Sequence, residues 1–266
     1  MLNKFLFIGC GKMGSAILQN FLKNNIDLKN IVIVDPENEL ANFKSLAEIE
    51  NYFQADVVIF AIKPQNSEVI LKEFAKTKLF HHQTIFVSIL AGKKIEFFEN
   101  ILGKNKKIIR LMPNLPILIS EGISAYFCNK NLQKNEEKEL VNLFGQNLKL
   151  EKEDLINQVT AISGSGPAYL FLFAKNLVEA GLKIGLKEED AKKLVIQTLF
   201  GAVKMLDKEV NSKNSDFDDL IKSVASKGGT TEAALNIFNN SKSNSLKELV
   251  ESAIEAAFQR SKELSS

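Results

Sequence analysis

Apolar and polar residues along the chain follow two regimes that meet near residue 150. In the first, short and largely apolar runs recur between polar stretches: Phe5 to Ile8, Ile31 to Val34, Asp56 to Ile62, Ile85 to Leu90 and Lys107 to Met112. Continuous runs of that length predict strands buried on both faces of a parallel sheet. Turn residues close each of them, at Gly9, Asp35-Pro36, Lys63-Pro64, Ala91-Gly92 and Pro113-Asn114. Right-handed crossovers keep such strands parallel and bring these turns to one sheet edge. Gly122 to Phe127 alternates like one more strand, Gln133 to Phe144 predicts a helix, and Leu148 to Leu150 predicts a short strand.

From Asp154 onward the apolar period becomes helical. Ala191, Leu194, Val195, Thr198, Leu199, Ala202 and Val203 mark one helix face, and Leu246, Leu249, Val250, Ala253, Ile254, Ala257 and Phe258 mark another. Ser245 and Glu248 form a capping box ahead of the second. A third helix, beginning at Pro167 after Ser163-Gly164-Ser165-Gly166, is apolar nearly all round. The four-residue entry reads as a tight, flexible turn, with the proline suited to a first helical turn. A helix without a polar face must be covered on every side, and a helical domain of this size is too small to cover it alone. That predicts a subunit interface in which two helical domains wrap each other as a homodimer, and leaves open whether dimers assemble further.

The turn at Gly9-Cys10-Gly11-Lys12-Met13-Gly14 joins the first strand to a helix. Gly9 permits a sharp turn, Gly11 lets backbone approach a pyrophosphate, and Gly14 lets helix pack closely on strand. Free N–H groups at the helix start then hold phosphates. The second strand ends in Asp35, about where an acidic residue meets an adenosine ribose. Together these predict a dinucleotide-binding, Rossmann-type α/β domain with a mostly parallel sheet over residues 1–153, followed by an all-α helical dimerisation domain over 154–266.

Composition narrows the partners. A formal net charge of +2, with lysines scattered among glutamates, provides no basic stripe for nucleic acid. No apolar run approaches a membrane span. Residues 1–8 are too short for a signal peptide and run straight into the glycine turn, so a cytoplasmic protein is expected. Cys10 and Cys128 have no metal-type spacing and read as reduced packing residues. His81-His82 has no Cys, Asp or Glu at ligand spacing; it reads as a solvated loop, and no metal is expected.

Two further features carry chemistry. Lys63-Pro64 stops a strand at the sheet edge where ligands bind, which fits either a cofactor contact or a plain strand-ending turn. Ser226-Lys227-Gly228-Gly229-Thr230-Thr231 interrupts two helices; its amides and hydroxyls fit either a small anion site or an ordinary helix cap.

Phe7 to Gly14, Ala61-Ile62-Lys63-Pro64, Arg110 to Pro116, Glu121-Gly122, Ser163 to Tyr169 and Ser226 to Thr231 together resemble pyrroline-5-carboxylate reductases over nearly the whole length. The resemblance implies hydride transfer from a reduced nicotinamide, NADPH or NADH, to the C=N carbon of 1-pyrroline-5-carboxylate, giving L-proline as the last step of its biosynthesis. It implies a cofactor site at Gly9, Gly11, Lys12, Met13, Gly14, Asp35, Ala61, Lys63, Pro64 and Asn114. It also implies that Thr231 donates to the imine nitrogen while Ser226 and the amides of Gly228, Gly229, Thr230 and Thr231 hold the carboxylate. Relatives usually carry proline where this chain has Lys227. Where they often carry an asparagine near the adenosine, Glu48 aligns. Asp35, Glu37 and Glu39, with Lys12 as the obvious cation for a 2′-phosphate, predict NADH use at least equal to NADPH. A related reductase of another cyclic imine or keto compound, and a non-catalytic dinucleotide-binding scaffold, are the alternatives.

Overall fold

The structure, a computed structural model, describes residues 2–49, 53–211, 216–240 and 245–265. By the proximity of their backbones these form two units, Met1–Pro167 with Ala256–Ser266, and Ala168–Glu255.

The first unit holds a seven-stranded sheet. In chain order its strands are β1 (Phe5–Ile8), β2 (Ile31–Val34), β3 (Ala55–Phe60), β4 (Phe80–Ser88), β5 (Lys107–Met112), β6 (Ile123–Cys128) and β7 (Gln146–Lys149). Their order across the sheet is β2-β1-β3-β4-β5-β6-β7, parallel throughout except for the antiparallel β5–β6 pair. Helices α1 (Lys12–Lys23), α2 (Ser67–Phe74), α3 (Ile95–Leu102) and α4 (Lys134–Val141) provide the crossovers. Alternate residues of each central strand feed opposite cores: Phe5, Phe7, Val57, Ile59 and Val87 pack with Phe21 and Phe144 on one face, and Leu6, Ile8, Val58, Phe60 and Phe86 with Phe74 and Phe98 on the other. Because both faces are covered, Phe5–Ile8, Ile31–Val34 and residues 57–60 and 85–87 are apolar throughout, while β5 buries Lys107 and Arg110 among its apolar residues, each paired with a carboxylate, Glu136 and Glu153.

Three readings of the sequence are corrected. His81 and His82 lie inside β4, not in a loop. Phe80 pairs with Ala55, and a register irregularity there lets polar residues run along the strand before Ile85 reaches the core. His81 Nε2 sits 3.3 Å from Asp56 Oδ1. Ser163-Gly164-Ser165-Gly166 is no turn: α5 (Ile156–Val159) passes through a π-helical turn (Thr160–Gly164) towards α6 (Gly166–Lys183), and neither Gly164 nor Gly166 has a positive φ. The last strand precedes its expected place, at Gln146–Lys149, and is exposed on both faces.

A buried polar cluster anchors that outer edge. Glu137, 7% exposed, accepts from Tyr126 Oη at 2.8 Å and from Lys149 Nζ, and touches Cys128 Sγ. Burial pushes the Glu137 carboxyl up, but its bonds from Lys149, Tyr126 and Cys128 outweigh this and hold it below the usual carboxylate range. Burial also drives the Cys128 thiol up to about 11. A lowered folded value contributes stability above the unfolded one and loses it as pH falls through the folded one. Glu137→Gln is therefore expected to cost about 2 kcal/mol at neutral pH and to flatten the loss of stability as pH falls below the ordinary carboxylate range in urea titrations.

The second unit is helical: most of α6, α7 (Glu188–Asn211), α8 (Phe217–Val224), α9 (Thr230–Phe238) and the first part of α10 (Leu246–Glu263). Ser245 accepts from the Glu248 amide and donates to its carboxylate, the expected capping box. Leu170, Phe171, Leu172 and Phe173 on α6 are all exposed in the single chain. No helix among the described residues is long and apolar enough to cross a membrane.

Candidate active site

At the carboxyl ends of β1, β2 and β3 the first unit opens a cleft of about 750 Å³. Gly9 makes the turn out of β1 with φ +84°, and its amide donates to the Val34 carbonyl at 2.8 Å. A side chain on Gly9 would strike Ala61 and Ile62, whereas one on Gly11 would meet nothing within 4 Å. Gly14 lies so close to Ala61 that even a methyl group would stand 3.2 Å from the alanine's own. The three glycines therefore differ: the first shapes the turn, the second leaves space above it, and the third seats α1 on the sheet. The orphan amides of the first turn of α1 open on this cleft.

Asp35 is built into the same turn. Its Oδ2 accepts from the Cys10 amide at 2.7 Å, and its Oδ1 from the amides of Glu37 and Asn38 at 2.8 and 2.9 Å. Burial raises its carboxyl, but these three amides, with Lys44 nearby, hold it below the ordinary range. Asn38 returns the connection, donating through Nδ2 to the Cys10 carbonyl.

The opposite wall comes from a segment that sequence alone did not single out. Phe43 bridges to Val34, and the amides of Asn42 and Phe43 donate to the Ile33 carbonyl. This lays Lys44 and Ser45 along the cleft. Lys44 Nζ donates to the Asn38 carbonyl at 3.0 Å, so Lys12 is not the only cation at this end. Glu48 is not in the cleft lining: it accepts from the Lys44 amide and the Ser45 hydroxyl, and it is Ser45 that faces the cleft. A loop segment with no periodicity gives no sign of this packing; only the Ser45-x-x-Glu48 spacing hints at it.

In the second unit, the turn between α8 and α9 has Gly228 at φ +72° and Gly229 as the helix N-cap. The Gly229 amide donates to the Ser226 carbonyl, and the Gly228 amide to Glu232 Oε2 at 2.7 Å. The amides of Thr230 and Thr231 have no partner among the described residues, and the Ser226 hydroxyl lies close against Gly229. The turn already carries one carboxylate, that of Glu232, and still offers two amides at a helix N-terminus with hydroxyls beside them. These are the donors that the anion-site reading of this turn requires.

Comparison with known proteins fixes the context. A family model for pyrroline-5-carboxylate reductase dimerisation matches residues 153–264, and one for coenzyme F420-dependent NADP oxidoreductases matches residues 4–92. The pyrroline-5-carboxylate reductase of Pseudomonas aeruginosa is 34% identical over 98% of this chain and 96% of its own length. The chain belongs to the pyrroline-5-carboxylate reductase family. The crystal structure of the Plasmodium falciparum pyrroline carboxylate reductase with NADP bound superposes with a TM-score of 0.87 at 32% identity, covering 99% of this chain and 98% of that one. The reductase from Coxiella burnetii superposes with a TM-score of 0.82 at 30% identity over the whole of both chains.

Of the cofactor residues implied by resemblance to these reductases, Gly9, Gly11, Lys12, Asp35, Ala61 and Lys63 line the cleft. Met13 and Gly14 lie in the first turn of α1, with Met13 packed against the core below, and Pro64 opens the short 3₁₀ turn that brings Asn66 to the cleft. Asn114 is outside the cleft lining: nearly buried after β5, it accepts from the Ile123 amide and points Nδ2 at Ser163 Oγ, 3.4 Å away. Among the described residues, no three His, Cys, Asp or Glu side chains gather in a way that could hold a metal ion.

Proposed function

We propose that this protein reduces the C=N bond of 1-pyrroline-5-carboxylate to give L-proline, using a nicotinamide dinucleotide held by Gly9, Gly11 and the first turn of α1. The observation that carries the reading is the partnerless pair of amides on Thr230 and Thr231 at the start of α9, flanked by the Ser226 and Thr231 hydroxyls. A substrate carboxylate fits those donors, and the Glu232 carboxylate on the Gly228 amide is a precedent within the chain.

When bound, the cofactor supplies the hydride. The Thr231 hydroxyl donates a hydrogen bond to the imine nitrogen, drawing charge from the carbon that accepts the hydride, and a proton relayed from solvent through that hydroxyl completes the secondary amine. No carboxylate, histidine or lysine in the 226–231 turn competes for this role apart from Lys227, whose ammonium adds to the field that favours a carboxylate. Placement of the two reactants provides the remaining acceleration.

The cofactor question turns on Asp35. Three backbone amides occupy its carboxylate, and Lys44 adds a cation at the same end, so the cleft tolerates a 2′-phosphate. Both NADPH and NADH are expected to serve, with kcat/KM values within about tenfold, since the opposing charges there largely cancel. Oxidation of each cofactor by the purified protein with 1-pyrroline-5-carboxylate tests both points. No turnover with either cofactor removes the reductase reading; a preference far beyond tenfold removes only the account of Asp35.

The exposed apolar side chains of α6, with the matching dimerisation family, support a homodimer through the helical unit. A cytoplasmic location fits a biosynthetic reductase with this composition.

A further inference from the structure

A second cavity, of about 360 Å³, opens in the first unit away from the dinucleotide cleft, between the last turns of α10 and the segment around α5. Asn157 lines it and is only 7% exposed. The amide oxygen of Asn157 accepts from Ser261 Oγ at 2.9 Å and lies 3.0 Å from Ser265 Oγ, whose single hydrogen it shares with the Ser261 carbonyl. That fixes the plane of the side chain and leaves Nδ2, with both its hydrogens, unpartnered among the described residues. That donor opens on the cavity.

The charges around it define what that acceptor is. Lys94 and Asp154 form a pair at 2.8 Å, which cancels. Lys262 pairs with no carboxylate among the described residues; its ammonium lies 5.3 Å over the Phe258 ring, whereas Arg260 on the same helix is matched by Glu263. The lining therefore carries one uncompensated positive charge, one oriented amide donor and one aromatic wall.

We propose that this cavity binds a small monocarboxylate, its anionic end held by Lys262 and Asn157 Nδ2 and its compact apolar body against Phe258. A dianion would exceed the charge available, and a purely apolar ligand would leave both donors unmet. Occupancy would clip the C-terminal segment to the sheet unit, close to where Gly92 packs against the Leu264 carbonyl.

Isobutyrate and its neutral isostere isobutyramide are the probes. Each is titrated into full-length ¹⁵N-labelled protein while the Asn157 side-chain amide pair is followed by NMR. A saturable shift with isobutyrate is expected, about tenfold weaker with isobutyramide and about tenfold weaker in Lys262→Gln, because a charge-assisted contact is lost in each case. Asn157→Asp keeps an acceptor for the two serines and replaces the donor with an anion; judged on the neighbouring Gln158 side-chain amide, it should lose binding. Thr231→Ala should bind as the wild type does, which separates this cavity from the turn before α9. Equal shifts from the two probes, unchanged affinity in Lys262→Gln, or no saturable shift up to about 50 mM isobutyrate overturns the proposal.

Discussion

Replacing Thr231 with alanine is expected to lower kcat about a hundredfold or more while leaving KM for the carboxylate substrate within a few fold. Thr231 is the second residue of α9, half-buried, and its hydroxyl caps nothing: the helix has no side-chain N-cap bond. Removing it therefore leaves the helix and its amides in place, and the carboxylate keeps its donors. What disappears is the hydrogen bond to the imine nitrogen, whose strength grows as the nitrogen takes up electron density during hydride arrival. A donor of this kind is worth about 10² to 10⁴ in rate. Thr231→Ser should recover most of the activity, since it restores the hydroxyl, whereas Ser226→Ala should act mainly through KM. Steady-state kinetics of the three variants, with circular dichroism to confirm folding, separates these roles. Wild-type kcat in Thr231→Ala would take the residue out of the chemistry and leave the nitrogen to solvent.

How much of this was legible in the sequence follows from which physical signals are local. The first five strands announce themselves because burial on both faces makes most of their positions apolar, with Lys107 and Arg110 of β5 buried against Glu136 and Glu153, and their ends are marked by glycine or proline. Gly9, Gly11 and Gly14 are legible because each solves a steric problem within a few residues of itself. The failures are tertiary. His81 and His82 are polar because their part of β4 sits beyond the core, and only the pairing of Phe80 with Ala55 makes them strand. Ser163 to Gly166 contains the residues of a turn, yet helical segments on both sides carry it through a π-turn, in which glycine's freedom is not used. Lys44 and Ser45 reach the cleft only because residues 42–43 bond to the end of β2. Glu232 engages the Gly228 amide from four residues away, a spacing visible in sequence but ambiguous until the φ of Gly228 is known.

The steric differences among the three glycines lead to the second large effect. In Gly9→Ala the new methyl group would stand 2.7 Å from Ile62 Cγ2 and 2.8 Å from both the carbonyl carbon and oxygen of Ala61, with the backbone held at φ +84°. Left-handed backbone costs about 1 to 3 kcal/mol for a residue with a side chain, and a clash with main chain cannot be relieved by a rotamer change. The variant is expected to lose about 2 to 4 kcal/mol of stability. Since Ala61 and Ile62 both line the cleft, the movement that relieves the clash displaces the wall as well, and NADPH affinity should fall at least about a hundredfold. Gly11→Ala tests the complementary case. Its φ is −69° and its methyl group would meet no protein atom, so melting temperature should barely change. The space it enters is the one a pyrophosphate would take, so nucleotide affinity should fall about tenfold or more without any cost to folding. Gly14→Ala, at 3.2 Å from the Ala61 methyl group and the Gly9 carbonyl oxygen, should lie between the two in stability. Thermal melts beside fluorescence titration of NADPH read both quantities on each variant. Wild-type NADPH affinity in Gly11→Ala would mean that the dinucleotide does not cross this turn, and the cleft would have to be assigned to another ligand.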